Sequence, residues 1–114
     1  MREIAPGIVL LGHRITHFVF DAKKTENKSG WSVHSATEVR QNPEGKWEGK
    51  LTLTMDFFSE REKTFTVHLV AEAQFLGDTL EKEKFETLCR TQGAALLVHP
   101  LRQFVQDFLE KACP

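Results

Sequence analysis

Alternation of apolar and polar positions is clearest between residues 46 and 57. Trp47, Gly49, Leu51, Leu53, Met55 and Phe57 fall on one side, and Lys46, Glu48, Lys50, Thr52, Thr54 and Asp56 on the other. A period of two with one apolar and one wet side marks a strand covered on a single face. The same period returns after the charged turn Ser59-Glu-Arg-Glu-Lys63. Phe65, Val67, Leu69, Ala71, Ala73 and Phe75 share one face, opposite Thr64, Thr66, His68, Val70, Glu72 and Gln74. A shorter alternation spans Trp31 to Gln41 through Val33, Ser35, Thr37 and Val39. It ends at Asn42-Pro-Glu-Gly45, a turn with proline at its second position and glycine at its fourth. Short connections between these three pieces predict an antiparallel meander.

The first piece, Ile8 to Ala22, is rich in β-branched and aromatic residues around Arg14-Ile-Thr-His-Phe-Val-Phe-Asp21. Strict alternation puts Phe18 and Phe20 on one face and Ile15, His17 and Val19 on the other. Both faces of that strand then carry bulky apolar groups. A polar stretch, Lys23 to Gly30, reads as a loop. Phe57 and Phe58 are adjacent, so their side chains point to opposite faces.

After Gly77-Asp78 the period changes. Asp78 or Thr79 is placed to cap a helix starting near Leu80, with Glu81 and Glu83 at its positive end. Phe85, Leu88 and Cys89 lie at helical spacing, and Gly93 is expected to interrupt the helix. Leu97, Leu101, Phe104, Val105, Phe108, Leu109 and Ala112 then form one apolar stripe. Pro100 belongs in the first turn of this helix or at a kink. Strands followed by helices argue for α+β, with helices laid across one face of an antiparallel sheet.

The 114 residues fit one domain, large enough to bury a core without disulfides or metal. Nine phenylalanines, two tryptophans and no tyrosine give much area and few hydrogen-bonding handles. A single helical layer covers one face of a sheet. The phenylalanines left over need a second subunit or a bound peptide. Fifteen basic residues nearly cancel sixteen acidic ones, so no charge excess points to nucleic acid or an anionic membrane. Ile8 to Leu11 is too short an apolar run for a signal-peptide core or a membrane span. Cys89 and Cys113 form no C-x-x-C pair, which favours a reduced, cytoplasmic protein.

Candidate chemistry is sparse. His13 and His17 are four apart in a strand, where that spacing separates them by about 13 Å, too far to share an ion. His34, His68 and His99 lie in other elements, so no metal site is expected. Cys89 sits on a helical apolar stripe, the place of a buried structural thiol. The pairs Glu60/Glu62 and Glu81/Glu83 are solvated positions, and Gly7 and Gly12 lack the rest of a phosphate loop. No catalytic residue, cofactor or metal is expected.

The segment Phe85-Glu-Thr-Leu-Cys-Arg-Thr-Gln-Gly-Ala-Ala-Leu-Leu-Val-His-Pro-Leu-Arg-Gln-Phe-Val105 resembles the SecB family of export chaperones. That family has a cysteine or leucine, small residues, then Ile/Leu-Leu-Phe-Pro-Tyr-x-Arg-Glu and an apolar helix. Arg14-Ile-Thr-His-Phe-Val-Phe20, Trp31 and Glu72-Ala-Gln-Phe75 are similar to its first strand, its frequent tryptophan and the end of its fourth strand. The resemblance covers about residues 10 to 112. It implies a four-stranded antiparallel sheet followed by a long C-terminal helix on one face, in dimers or tetramers that bind unfolded polypeptide in apolar grooves. Phe18, Phe20, Trp31, Phe57, Phe58 and Phe75 are the expected groove or interface residues. Leu97, Leu101, Phe104 and Phe108 are expected in the helix–sheet core or a subunit contact. His99, Leu101 and Gln103 depart from the family pattern. The sequence, ending at Pro114, also lacks the Pro-rich crossover loop, second helix and acidic tail. These departures leave docking to the translocation motor in question and admit another partner, such as an antitoxin. A non-holdase adaptor with one dedicated partner is the rival expectation.

Overall fold

The computed structural model describes residues 2–21, 30–59, 65–78 and 81–112. Five strands and one long helical segment make up the described chain. They are β1 (Arg2–Ala5), β2 (Ile8–Asp21), β3 (Gly30–Gln41), β4 (Trp47–Ser59), β5 (Phe65–Gly77), α1 (Lys82–Leu88), a π-helical segment (Cys89–Gly93) and α2 (Ala94–Ala112). All strand pairs are antiparallel, in the order β1-β2-β5-β4-β3. The α+β architecture and the meander agree with the alternation in the sequence. The sheet has five strands rather than four, because Pro6-Gly7 turns Arg2–Ala5 back along β2. The loop expected at Lys23 to Gly30 and the charged turn at Ser59 to Lys63 lie almost wholly outside the described residues.

The turn after β3 forms as its residues dictate. Asn42 Oδ1 accepts from the N–H of Glu44 (3.0 Å) and of Lys46 (2.9 Å), and Gly45 adopts φ 84°. β4 and β5 alternate as expected. Leu51, Leu53, Met55, Val67, Leu69, Ala71, Ala73 and Phe75 are buried on one face, where they meet Phe85, Cys89, Leu97, Leu101 and Val105.

β2 departs from strict alternation twice. Its register against β5 slips between Leu10 and Gly12, and again between Ile15 and His17. Each slip is a β-bulge, with one extra residue (Leu11, then Thr16) opposite no partner. The first inverts the strand's phase and the second restores it. Ile15 therefore stands opposite Ala71 and Phe18 opposite Leu69, both on the helical side. The expectation that Ile15 faces away from Phe18 and Phe20 is corrected by the Thr16 bulge.

The helix also differs in detail. Thr79 and Leu80 lie outside the described residues. The N-cap position is Glu81, which makes no side-chain capping bond. Gly93 does not interrupt the helix; the chain runs through it from a π-turn into α2. Buried positions recur every fourth residue at Phe85, Cys89, Gly93, Leu97, Leu101 and Val105. A wide π-turn holds such a spacing in line better than α-turns of 3.6 residues. Helix and sheet approach most closely at two glycines. A Cβ at Gly77 would sit 2.5 Å from the Phe85 ring, and one at Gly93 would sit 2.6 Å from the Phe75 ring. Pro100 lies inside α2 rather than in its first turn.

Candidate functional site: an apolar cleft beside β2

A sheet of five strands spaced about 4.8 Å apart is roughly 19 Å across, and one helix is about 10 Å in diameter. The helical segment therefore leaves uncovered flanks. On the β2 side the flank is a cleft of about 330 Å³ lined by His13, Arg14, Ile15, Ala71, Leu97, Pro100, Leu101 and Phe104. The bulges bring Ile15 to its floor. Pro100 and Phe104 form its helical wall, and Ile15 (36% exposed) and Phe104 (44%) remain open to solvent. The lining side chains of Ile15, Ala71, Leu97, Pro100, Leu101 and Phe104 offer no hydrogen-bonding group. The site suits an apolar side chain and selects little else.

Next to the cleft, Phe18 meets Phe104 edge to face at 5.6 Å and Phe108 at 4.8 Å, and Phe20 meets Phe108 at 5.4 Å. Offset rings of this kind add to their area burial. They hold the C-terminal half of α2 on β2. Phe18, Phe20, Phe104 and Phe108 thus form one cluster, although the first two are expected from the sequence in a groove or interface and the last two in the helix–sheet core or a subunit contact.

On the opposite flank Trp31 stacks on Phe57 with centroids 6.2 Å apart, and the Arg102 guanidinium lies 4.3 Å above the Trp31 ring. This cation–π contact ties α2 to β3. Trp31 stays 43% exposed. Phe58 is half-buried on the far face. Phe75, expected at the groove, is 1% exposed at the centre of the core. It pairs with Leu10 and Gly49 in inner strands and lies under Gly93. Leu97 and Leu101 are buried as core residues and also reach the cleft.

The far face of the sheet was expected to carry surplus aromatic groups; it is largely polar. Glu72 bonds Lys50 (3.2 Å) and Arg14 (3.4 Å), Arg40 bonds Glu48 (2.9 Å), and His68 Nδ1 lies 2.6 Å from Asp56 Oδ1. The Lys50 ammonium, with Arg14 adding to it, holds the Glu72 carboxyl below its usual range. Exposed pairs of this kind contribute little to stability. Burial, reinforced by the Glu86 carboxylate, pushes the Cys89 thiol up to about 12. Among the described residues, no three His, Cys, Asp or Glu side chains could hold a metal ion together. No described helix is long and apolar enough to cross a membrane.

The cleft residues missing from the sequence-based set are His13, Arg14, Ile15, Ala71 and Pro100. Only the β2 bulges turn His13 and Ile15 toward the helical side, and a bulge at Thr16 has no glycine or proline to announce it.

No protein-family model matches the chain, and no curated protein matches it by comparison. Solved structures do. The SecB-like chaperone Rv1957 of Mycobacterium tuberculosis, in complex with a ChAD peptide from the Rv1956 HigA1 antitoxin, superposes with a TM-score of 0.63. Sequence identity is 14% over 97% of this chain and 88% of that one. A protein of unknown function from Streptococcus agalactiae superposes with a TM-score of 0.60 at 13% identity, over 92% of this chain and 89% of that one. The fold is that of a SecB-like chaperone.

Proposed function

We propose that this chain is a non-enzymatic, SecB-like chaperone module that holds extended apolar polypeptide in the cleft between β2 and α2. The cleft's composition carries this reading: it is walled by Ile15, Leu97, Pro100, Leu101 and Phe104. Burial without directional bonds tolerates many sequences, as a holdase requires. The reading includes a cytoplasmic location and self-association as a homodimer or homotetramer. Delivery of clients to a translocation motor is one use of such a module.

Ile15→Asp tests it. The residue is partly exposed, so the variant keeps its fold while placing a charge on the cleft floor. Stoichiometric wild-type protein is expected to slow aggregation of a reduced, unfolded client. The variant should need roughly tenfold more protein for the same effect. If the wild type gives no suppression, or the variant suppresses equally, the reading fails.

A second reading is an adaptor with one dedicated client. It draws support from the antitoxin peptide bound by the M. tuberculosis chaperone of the same fold. Under it, a pull-down returns one stable partner of antitoxin type and unrelated unfolded chains do not bind.

A further inference from the structure

Six of the eight residues lining the cleft between β2 and α2 are apolar, and the other two are His13 and Arg14. Arg14 stands opposite Glu72 and meets its carboxylate at 3.4 Å, so its charge belongs to the reverse of the sheet. His13 stands opposite Ala73, which is buried in the core on the helical side. The first bulge turns it there, as it turns Ile15. His13 is thus the single hydrogen-bonding side chain on the cleft's own face. It is exposed, and it makes no hydrogen bond or ion pair with another described residue.

The groups around the imidazole are mostly uncharged. β5 presents Ala71 and Ala73, and α2 presents Leu97, Pro100, Leu101 and Phe104. Next to those positions along α2 come His99 and Asp107, the latter accepting from Gln103 Nε2 at 3.0 Å. On β2 itself the neighbours are Arg14, engaged by Glu72, and His17, on the reverse opposite Val70. β1 pairs no further along β2 than Leu10, opposite Arg2. No carboxylate is among the lining residues, so a counter-charge for an imidazolium is left for the occupant to supply.

His13 and Ile15 share a face, and residues two apart on an extended chain lie about 7 Å from each other. An extended client that sets an apolar side chain over Ile15 therefore brings the residue two positions away over His13. Imidazole is the side chain that changes charge between pH 5 and 8. We propose that His13 selects clients by the residue two positions from the apolar anchor, and that acidification turns this choice toward aspartate or glutamate and against lysine or arginine. Neutral, the ring hydrogen-bonds without regard to charge. Protonated, it attracts a carboxylate and repels an ammonium. The inference rests on the reading of the cleft as the client site and names what that site prefers.

Capped seven-residue peptides test it. Each has phenylalanine at its centre and serine elsewhere, except for aspartate two positions to either side, lysine two positions to either side, or aspartate one position to either side. Titration followed by NMR reads even millimolar affinities. Between pH 8 and pH 5 both peptide side chains stay charged. Over that interval the wild type is expected to bind the first peptide about threefold tighter and the second about threefold more weakly, the ordinary size of an exposed charge pair. The third, whose carboxylates point to the opposite face, should change little. His13→Gln should bind all three as the wild type does at pH 8 and lose the pH response. His13→Arg, charged at both pH values, should show at pH 8 the preference that the wild type shows at pH 5. Should one variant misfold by circular dichroism, the other still decides. A wild type without the pH response, a response that His13→Gln keeps, or a third peptide that responds as much as the first overturns this inference alone. A wild type that binds none of the peptides at either pH overturns the cleft reading with it.

Discussion

The phenyl ring of Phe85 occupies the space that a side chain at Gly77 would need, and Phe85 is itself fully buried. The ring cannot swing into solvent, so a methyl group there must displace core. Gly77→Ala is expected to destabilise the fold by about 1–3 kcal/mol, the ordinary range for overpacking, as a lower urea midpoint with an unchanged slope. Cys89 gives a second residue-level expectation. With its thiol pushed up to about 12 by burial, almost no thiolate exists at pH 8. In a Cys113→Ser background, a thiol-specific disulfide reagent should leave the native protein unlabelled and react fully once urea unfolds it. Rapid labelling of the folded protein would contradict the burial. Both residues sit on the apolar pattern visible in the sequence. Their consequences depend on which ring meets which glycine, and pattern does not encode that distance.

At the scale of elements, legibility followed regularity. β4 and β5 alternate without a fault, and their buried positions are those the period marks. α2 was legible for the same reason, through a stripe from Leu97 to Leu109. β1 was not, because four residues without alternation carry no period and only the Pro6-Gly7 turn hints at a return. β2 was half legible. Ile8, Leu10, Phe18 and Phe20 keep the face that strict counting gives them, since two inserted residues cancel outside the interval they enclose. Only the interval from Gly12 to Ile15 is inverted, and the cleft floor lies there. Deleting Thr16, which faces no partner in β5, should close the second bulge while Ile15 keeps Ala71 and Phe18 keeps Leu69 opposite it. Deleting Leu11 should likewise close the first bulge without moving Ile15 or the phenylalanines to the other face. Thermal unfolding checks both: each single deletion should keep cooperative folding, and its loss would contradict these registers.

For the whole molecule, the narrowness of one helix against five strands sets the functional layout. The described chain is elongated, 53 × 23 × 20 Å, with the helical segment across the middle of the sheet and apolar groups bare on either flank. The sequence predicts surplus apolar surface. It misplaced that surface on the reverse of the sheet, where ion pairs such as Lys50–Glu72 stand instead. Part of the surplus lies beside the helix, Ile15 and Phe104 at one flank and Trp31 at the other, while Val19, opposite His68, stays exposed on the reverse and Leu11 at the first bulge. The two apolar flanks are therefore separate margins of one sheet.

The paired bulges of β2 also bear on descent. Either extra residue can be lost without moving its neighbours to the other face, so ancestors carrying one bulge are open stepping stones. Lineages sharing this architecture should show single gaps at the two positions independently, each marking cousins whose groove has been refitted for other guests.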